Sequence, residues 1–436
     1  MPRESAIRPI PPPARGPVRV GLSGGLDSIV LLHLLASDAE VRARGLRALH
    51  VHHGLHADAD AWAAHCADVC AGLGVALEIV RVRVSRDSGL GLEGAAREAR
   101  HRVFADRLDD GECLALAQHL DDQAETFLLR ALRASGPDGL AAMRPARRFA
   151  GGWLWRPLLD TPRAALEAHA RRHDLRWVDD PANADTALDR NFLRHQVLPL
   201  LRQRWPHAAS AFARAAQLAG ESADILAEDD AAALASVRDE AGGGLSVTAL
   251  RGLSAARRAR LLRAWVSVRG WPPLPAEGIA HIETDLIAPP SGVCDTMPRF
   301  AWHGVEIRRW RDGLHAVDAH RDLPEDWSCD WDGRSPLTLP NGDTLRLVGV
   351  AEGFPWPVRA HARHGGERIV LPGREDHRRT LKHVLQAMDI PPWLRTRMPL
   401  LSTDDGRLLA AGDRVRSAAF DRWLQTQRAR LVWLLS

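Results

Sequence analysis

One short segment constrains the fold more than any other part of the sequence. Residues 18–22, Val-Arg-Val-Gly-Leu, predict a buried strand, and residues 29–35, Ile-Val-Leu-Leu-His-Leu-Leu, predict the apolar part of a buried helix. The turn between them reads Ser23-Gly24-Gly25-Leu26-Asp27-Ser28. Its adjacent glycines let the backbone approach an anion closely, and the N–H groups and dipole of the helix start favour phosphate. The segment therefore predicts a phosphate-binding loop, in which Asp27 would hold a metal ion or orient a nucleophile.

Two familiar phosphate-binding loops do not fit this segment. The dinucleotide fingerprint needs three glycines in the pattern G-x-G-x-x-G, and only two adjacent glycines are present here. The ATPase loop G-x-x-x-x-G-K-[ST] needs a lysine, and the only lysine of the chain is Lys382. The segment instead resembles the S-G-G-x-D-S loop of enzymes that cleave ATP between its α- and β-phosphates.

Strand and helix patterns alternate along the first part of the chain at the spacing of βαβ units. This alternation predicts a doubly wound α/β fold with a parallel sheet. Ligands of such sheets bind beyond the carboxyl ends of the strands. Three polar segments follow predicted strands and would meet at that edge: residues 23–28, residues 50–54 with three histidines, and residues 118–125.

The third of these segments carries a histidine and three acids, in the order Gln118-His119-Leu120-Asp121-Asp122-Gln123-Ala124-Glu125-Thr126. On a helix, His119 shares a face with Asp122, and Asp121 shares a face with Glu125. Carboxylates at a helix start also serve as simple caps, so the pattern alone leaves both interpretations open. Beside a phosphate loop, Asp27 with Asp121 or Asp122 would hold the Mg²⁺ ion that ATP chemistry needs. Zinc is disfavoured because no further soft ligands are placed nearby.

Composition places the chain among ordinary soluble proteins. It has 436 residues, of which 45% are hydrophobic and 26% are charged, with a net charge of +3. No apolar run approaches the roughly 20 residues that span a bilayer, and the first residues lack a signal peptide, so we expect no membrane contact and a cytoplasmic location. The five cysteines form no C-x-x-C pair, which argues against a disulfide framework or a zinc ribbon.

The second half of the chain changes character. An alanine-rich helical stretch covers residues 207–236, a basic helix is predicted over 250–268, and short alternating segments between 302 and 350 predict small antiparallel sheets. We expect three domains: an ATP-binding catalytic domain over 1–215, a mainly helical connector over 216–325, and a small α+β domain over 326–436.

Several motifs in fixed order give the chain its resemblance to a known family. They are His50-Val51-His52-His53-Gly54-Leu55, the segment 118–126, Ser135-Gly136-Pro137-Asp138-Gly139-Leu140, Arg156-Pro157-Leu158-Leu159, Asp189-Arg190-Asn191-Phe192-Leu193-Arg194, Arg363-His364-Gly365-Gly366-Glu367-Arg368 and Ile390-Pro391-Pro392-Trp393-Leu394-Arg395. In this combination the chain resembles the tRNA(Ile)-lysidine synthetases, which are PP-loop ATP pyrophosphatases with the fold of adenine nucleotide alpha hydrolases. The resemblance covers residues 18–210 and 363–415. Ala134 stands where the family usually has glycine, a change that removes no charged group.

The resemblance implies a two-step ligase reaction. ATP adenylates the C2 oxygen of the wobble cytidine in the CAU anticodon of tRNA(Ile), and pyrophosphate leaves. The amino group of free L-lysine then attacks C2 and expels AMP, which gives lysidine and changes codon reading from AUG to AUA. The expected cofactors are ATP and Mg²⁺, the expected partners are tRNA(Ile) and lysine, and a homodimer is left open.

The resemblance also implies roles for particular residues. Asp122 and Glu125 are the candidates for binding the lysine substrate. The full set is as follows: catalytic residues Asp27, His119, Asp122 and Glu125; ATP-binding residues Ser23, Gly24, Gly25, Leu26, Asp27, Ser28 and His50; metal ligands Asp27 and Asp121; tRNA or phosphate contacts Arg190, Asn191, Arg194, Arg368 and Arg395.

Three rival functions use similar features. A tRNA 2-thiolation enzyme would share the loop but needs cysteine pairs, which this chain lacks. An ammonia-fed amide synthetase would lack the basic carboxyl-terminal region. A non-catalytic tRNA-binding protein with a degenerate loop is disfavoured because Ser23, Asp27 and the acids at 121–125 are intact.

Overall fold

A computed structural model describes residues 7–84, 91–239, 243–288, 298–318, 322–373 and 377–435. The chain forms two compact units, Met1–Asp229 and Asp230–Ser436. In the described residues, no helix has the length and apolar character needed to cross a lipid bilayer.

The first unit is built on one six-stranded sheet. Strands β1, β2, β3, β4 and β6 are parallel, β5 is antiparallel to β6, and the spatial order is β3-β2-β1-β4-β6-β5. The predicted α/β fold with a doubly wound parallel sheet is therefore confirmed. The bounds are β1 Val18–Gly21, β2 Leu46–His52, β3 Ala76–Arg81, β4 Cys113–Ala115, β5 Ala146–Phe149 and β6 Gly152–Trp155.

Helices cover both faces of this sheet. Neighbouring residues of one strand face opposite sides, so Ala48 packs with α1 and α7, while Leu49 packs with α4. We call these the α1-side and α4-side cores. The helices are α1 Leu26–Ser37, α2 Ala39–Ala43, α3 Ala59–Gly72, α4 Gly91–Arg107, α5 Leu120–Leu132, α6 Pro137–Leu140, α7 Arg163–Arg172, α8 Asp189–Phe192, α9 Leu198–Arg204 and α10 Ala208–Ser236, with a 3₁₀ turn at Pro181–Ala184 and a π-helical turn at Leu193–Val197.

The start of α7 differs from a simple sequence prediction. Thr161 followed by Pro162 predicts a threonine cap with proline at the first helical position. The helix begins one residue later, at Arg163, and Pro162 occupies the cap position without a side-chain bond. Asp121 instead accepts a hydrogen bond from the backbone N–H of Arg163 at 2.8 Å. A carboxylate from a neighbouring helix has taken over the capping role, which local sequence does not reveal.

The second unit contains two separate hydrophobic cores. One gathers residues between Leu234 and Ala316, and the other gathers residues between Leu323 and Trp433. The strands, mostly in antiparallel pairs, are β7 Leu245–Ser246, β8 Arg299–Trp302, β9 Val305–Trp310, β10 Gly313–Asp318, β11 Ser328–Asp330, β12 Leu337–Thr338, β13 Thr344–Val348, β14 Val358–His361, β15 Arg368–Val370, β16 Arg378–Thr380, β17 Leu400–Thr403, β18 Leu408–Ala411, β19 Val415–Arg416 and β20 Arg430–Leu434.

The helices of this unit correct one prediction. A single basic helix over 250–268 is replaced by two helices with a break between them, because the hydroxyl of Ser254 accepts from the backbone N–H of Arg257 and starts a new helix. The helices are α11 Val247–Arg251, α12 Ala255–Val268, α13 Ala276–His281 followed by a π-helical turn Ile282–Ile287, α14 Leu381–Ala387, α15 Pro392–Arg397 and α16 Ala418–Thr426.

A buried ionic network joins the central strands of the first unit at the end opposite the phosphate loop. Glu112 is completely buried and accepts from the guanidinium of Arg19 at 3.2 Å and from that of Arg47 at 2.9 Å. It also accepts from the backbone N–H of Asp109 at 3.0 Å. Arg19 lies on β1 and Glu112 directly precedes β4, so the network fixes these two strands side by side.

The substitution Glu112→Gln should lower the free energy of unfolding by about 3 kcal/mol, because it removes the fully buried carboxylate shared by Arg19 and Arg47 and leaves Arg19 only its ion pair with the more exposed Glu78. Chemical denaturation of full-length protein measures this value. Glu98→Gln is the matched control, since Glu98 forms an exposed ion pair with Arg102 on α4 and its loss should cost only about 0.5 kcal/mol. Equal effects of the two substitutions would contradict the structural role of Glu112.

Candidate active site

The loop between β1 and α1 is held in shape by its own side chains. The hydroxyl of Ser28 donates to the carbonyl of Gly25 at 2.9 Å, and it also accepts from the backbone N–H of Ser23 at 3.2 Å. Gly24 adopts φ +89°, and a Cβ there would lie 3.1 Å from the sulfur of Cys66. A side chain at Gly24 would therefore be strained and crowded. Leu26 is buried and begins α1, so its side chain anchors the loop while the first N–H groups of the helix remain at the loop.

The start of α5 places two acids at the same edge of the sheet. His119 is the cap residue, and its Nδ1 accepts from the backbone N–H of Asp122 at 3.4 Å. The carboxylate of Asp122 accepts in return from the backbone N–H of His119 at 3.1 Å. This reciprocal capping explains part of the predicted acid cluster, and it fixes the direction of both side chains.

His119 connects α5 to the loop. Its ring is almost completely buried, and its Nε2 lies 3.7 Å from Oδ2 of Asp27 and 3.4 Å from Oδ2 of Asp122. Three of the predicted catalytic residues are thus brought together, although Asp27 in the loop lies 92 positions before His119 in the sequence. Because Nδ1 accepts from the backbone, Nε2 carries the ring hydrogen and faces both carboxylates.

The two carboxyl groups beside His119 have opposite electrostatic environments. Burial raises the pKa of Asp27, and the nearby charge of Asp122 adds to that effect although His119 opposes it. Burial also raises the pKa of Asp122, but His119, Arg190 and Arg194 outweigh it, so that this pKa is lowered. The Oδ1 atom of Asp27 is buried and has no hydrogen-bond partner among the described residues. Asp27 therefore has only longer-range cationic neighbours, Arg163 and Arg194, whereas Asp122 is hydrogen-bonded to two arginines.

Two arginines cover the acids of α5. Arg190 donates to Glu125 at 2.7 Å and to Asp122 at 3.0 Å. Arg194, in the π-helical turn, donates to Glu125 at 2.7 Å and to Asp122 at 3.0 Å. Glu125 is completely buried, and the carboxylates raise the pKa of Arg194 despite its burial. Arg190 and Arg194, which we predict as phosphate contacts, bind carboxylates in this structure.

Two other predicted site residues have local structural contacts. Asp121 caps α7 through one oxygen, and its other oxygen pairs with Arg202 of α9. The amide of Asn191 donates to the carbonyls of Ala182 at 3.0 Å and Asp185 at 2.9 Å, so it fixes the preceding loop and lies apart from the two arginines. On a regular helix, the spacing in the motif at 189–194 predicts that Arg190, Asn191 and Arg194 share one face. The contacts do not match this prediction, because a π-helical turn begins after the first four residues and the amide of Asn191 is held by loop carbonyls.

The histidines after β2 also differ from one another. His50 is buried, and its Nδ1 lies 2.9 Å from the carbonyl of Leu22, directly before the phosphate loop. Burial lowers its pKa, so its ring is neutral at neutral pH. His53 lies at the end of the strand, where burial lowers its pKa to about 4, and its Nδ1 is buried without a hydrogen-bond partner among the described residues. His50 thus supports the loop, while His53 has an unused ring nitrogen.

The two predicted tRNA contacts in the second unit are unlike each other. Arg368 is exposed on β15 and donates to the carbonyl of Arg378 at 3.3 Å. Arg395 is buried, donates to the carbonyl of Ile390 at 2.7 Å, and lies 5.5 Å from the ring centre of Trp310. Arg395 therefore packs within the unit, and its contact with tRNA stays a prediction.

Sequence reasoning missed Arg163. Its Nε lies 3.8 Å from the otherwise unpartnered Oδ1 of Asp27, and it is the charged group that reaches the loop from α7. The only sequence signal is its place at a helix start shortly after the motif at 156–159. Such a position indicates a helix boundary and carries no information about which loop the helix approaches.

Comparison with known proteins identifies the family. Residues 6–201 match the PP-loop domain family, residues 245–315 match the TilS substrate binding domain, and residues 358–433 match the TilS substrate C-terminal domain.

Full-length relatives agree with these domain matches. The tRNA(Ile)-lysidine synthase of Xanthomonas axonopodis pv. citri is 57% identical over 98% of this chain and 96% of its own length. The proteins of the same name from Xanthomonas campestris pv. campestris and Xylella fastidiosa are 56% and 51% identical, over 98% and 96% of this chain and 97% and 95% of their own lengths. Because they share more than half of its residues along nearly its whole length, the chain belongs to the tRNA(Ile)-lysidine synthase family.

Proposed function

We propose that the chain catalyses the ATP-dependent formation of lysidine on tRNA(Ile), as a ligase of the PP-loop type. The observation that supports this most directly is the meeting of Asp27, His119 and Asp122 beside a preformed phosphate loop. In the first step, ATP adenylates the C2 oxygen of the wobble cytidine and pyrophosphate leaves. In the second, the amine of lysine forms a bond to C2, loses a proton, and displaces AMP.

The loop is suited to the first step. Its backbone N–H groups and the exposed hydroxyl of Ser23 would bind the pyrophosphate part of ATP at the start of α1, where the helix dipole favours negative charge. Charge develops on pyrophosphate as it leaves, and donors already held in place stabilise that charge without reorganisation. Ser28 is buried and its hydroxyl holds the loop, so its role is to keep this geometry.

The donor set fits a magnesium ion that shares its ligands with phosphate. In the described parts of the chain, no group of three or more histidines, cysteines, aspartates and glutamates is placed to hold a metal ion by itself. Asp27, with one buried and unpartnered oxygen, is the residue that would hold Mg²⁺, while Asp121 has both oxygens engaged elsewhere. Bound Mg²⁺ would neutralise charge on the phosphate oxygens during adenylation.

Asp122 and Glu125 are suited to the second step. Lysine must be bound as a cation, and these carboxylates already bind the cationic groups of Arg190 and Arg194. We infer that phosphate groups draw the arginines away when ATP and tRNA arrive, which leaves carboxylate oxygens for the ammonium group. The proton that the attacking amine loses would pass to one of these carboxylates, because Nδ1 of His119 already accepts from the backbone and its Nε2–H lies between Asp27 and Asp122.

The second unit would bind the tRNA. Its exposed arginines, including Arg368 on β15 and its neighbours Arg378 and Arg379 on β16, form a basic surface for backbone phosphates. All substrates of this reaction are cytoplasmic molecules, so we place the enzyme in the cytoplasm.

The proposed reaction predicts a defined set of products. With ATP, Mg²⁺, labelled lysine and unmodified tRNA bearing a CAU anticodon, the full-length protein should incorporate lysine into tRNA and release AMP and pyrophosphate in equal amounts. A tRNA with a different wobble base is the control and should remain unlabelled. Cleavage of ATP without label in the tRNA would contradict lysidine formation while leaving ATP cleavage intact.

The substitution Asp27→Asn should reduce pyrophosphate release by about 10²-fold or more, because the loop loses the carboxylate that faces the phosphates. Single-turnover release of pyrophosphate measures this step. Asp58→Asn is the matched control, since Asp58 is exposed before α3 and its side chain makes no capping bond. Wild-type release from the Asp27 variant would show that its carboxylate has no part in adenylation.

The substitution Glu125→Gln should affect the second step selectively. We expect the KM for lysine to rise roughly tenfold to a hundredfold, the usual effect of losing a hydrogen bond to a charged group. Pyrophosphate release should continue, and adenylated tRNA should accumulate. Glu40→Gln, at an exposed position on α2, is the control for general effects of charge loss. Equal losses of pyrophosphate release and lysine transfer would contradict the assignment of Glu125 to lysine.

A further inference from the structure

The motif Arg156-Pro157-Leu158-Leu159 has no role in the reaction as derived above. Arg156 directly follows β6, at the same edge of the sheet as the phosphate loop, and its side chain is buried. Its guanidinium donates to the side-chain oxygen of Gln118 at 3.2 Å and to the carbonyl of Arg144 at 2.8 Å. Both acceptors are neutral, and neither of these hydrogen bonds goes to a carboxylate. A buried cation held only by neutral groups keeps its full charge for a further partner.

A second arginine lies on the same side of the sheet. Arg147 of β5 pairs in register with Leu154 of β6, which belongs to the α4-side core. Its guanidinium lies 5.2 Å from the ring centre of Phe149, and the ring of His101 from α4 contacts the same phenylalanine at 6.0 Å. Arg147 is exposed and its hydrogen bond goes to a backbone carbonyl, that of Arg148. Arg147 and Arg156 thus flank one position beside α4.

Several positive charges act on His101, which lies at this position. Burial lowers the pKa of His101 to about 4, and the charged neighbours that lower it further are all arginines: Arg97, Arg100, Arg147 and Arg156. Burial and the neighbouring arginines lower the pKa of Arg156 to about 10, so it remains charged at neutral pH. Arg147 and Arg156 donate to neutral oxygens, and bringing these two cations close together costs free energy that a bound anion would recover.

We propose that Arg147 and Arg156 form a binding site for a backbone phosphate of the tRNA anticodon loop, next to the cytidine that is modified. This proposal rests on the proposed function, since it names where the polyanionic substrate of that reaction enters the first unit. Arginine matches phosphate geometry through two parallel N–H groups, and phosphate contacts fix the register of a nucleic acid on its protein.

The phosphates of ATP are separated from this site. They would bind at the loop after β1, on the side of α1, whereas Arg147 lies on the α4 side. Strand β4 lies between β1 and β6, so two strand spacings, roughly 10 Å, separate the two positions along the sheet. The wobble cytidine would then lie between its own backbone phosphate and the ATP phosphates, near the end of β4.

The test compares Arg147→Gln with Arg148→Gln. Arg148 is the adjacent exposed arginine of the same strand, but it faces the other side of the sheet and stacks on Trp153 at 4.2 Å. Both variants lose one positive charge from β5. Binding of tRNA bearing a CAU anticodon is measured by fluorescence anisotropy over a series of salt concentrations, and the KM for ATP is measured with saturating tRNA.

We expect Arg147→Gln to weaken tRNA binding about three- to tenfold and to reduce the slope of log Kd against log salt concentration by about 0.7, the value for one phosphate contact with a single strand. Arg148→Gln should leave both values unchanged, and neither variant should change the KM for ATP. Arg156→Gln should show the same pattern with a larger loss of affinity, and its thermal unfolding shows whether it is folded. If Arg156→Gln does not fold, the comparison of Arg147→Gln with Arg148→Gln decides the proposal.

Equal affinities and slopes for the Arg147 and Arg148 variants would overturn the proposal. A raised KM for ATP with unchanged tRNA affinity would also overturn it, because the phosphate recognised would then belong to ATP. Both outcomes are distinct from failure of the proposed function, in which the wild-type protein itself would not transfer lysine to tRNA.

Discussion

The active-site edge depends on one cluster of buried charges, formed by Asp122 and Glu125 of α5 with Arg190 and Arg194. Glu125 is completely buried, and taking a carboxylate out of water is costly unless its oxygens are paired. Both oxygens accept from arginine at 2.7 Å, so the segment that carries the arginines is held against α5. The direction of Asp122 is fixed in turn by the capping of His119, which also reaches Asp27. The charges therefore hold the two acids of α5 in place, and the cap of α5 brings His119 to the loop residue Asp27.

The same cluster limits what can bind. In the proposed reaction, the ammonium group of lysine would compete with the guanidinium groups of Arg190 and Arg194 for the oxygens of Asp122 and Glu125. Asp27 is in the opposite situation, since burial raises its pKa and one of its oxygens has no hydrogen-bond partner among the described residues. The two carboxyl groups on either side of the His119 ring thus differ in pKa and in the number of arginines that they bind. That difference supports our proposal that Asp27 holds the metal ion and that the acids of α5 bind the organic cation.

The sequence predicts those features that depend on neighbouring residues. The strand, the glycine turn and the helix around Ser23 to Ser28 follow from local periodicity, and so does the βαβ alternation that places three polar segments at one edge. The contacts of Asp121 could not be predicted, because its partners are the start of α7 and Arg202 of α9. Helical spacing alone predicts that Asn191 shares a face with Arg190 and Arg194, yet a π-helical turn and loop carbonyls separate them. Which acid binds metal and which binds arginine is decided by such distant contacts.

The spacing of arginines in the sequence also does not show which of them are available to bind phosphate. The acceptors that each arginine contacts in the structure decide this. Arg190 and Arg194 face carboxylates, so an incoming phosphate must compete with those carboxylates for them. Arg147 and Arg156 donate to neutral oxygens, so their charge is available without breaking an ion pair. A polyanion that approaches this edge therefore gains more at the second pair than at the first. This order of preference is the reason we propose that the RNA backbone binds on the α4 side of the sheet, and that Arg190 and Arg194 respond to the phosphates at the loop.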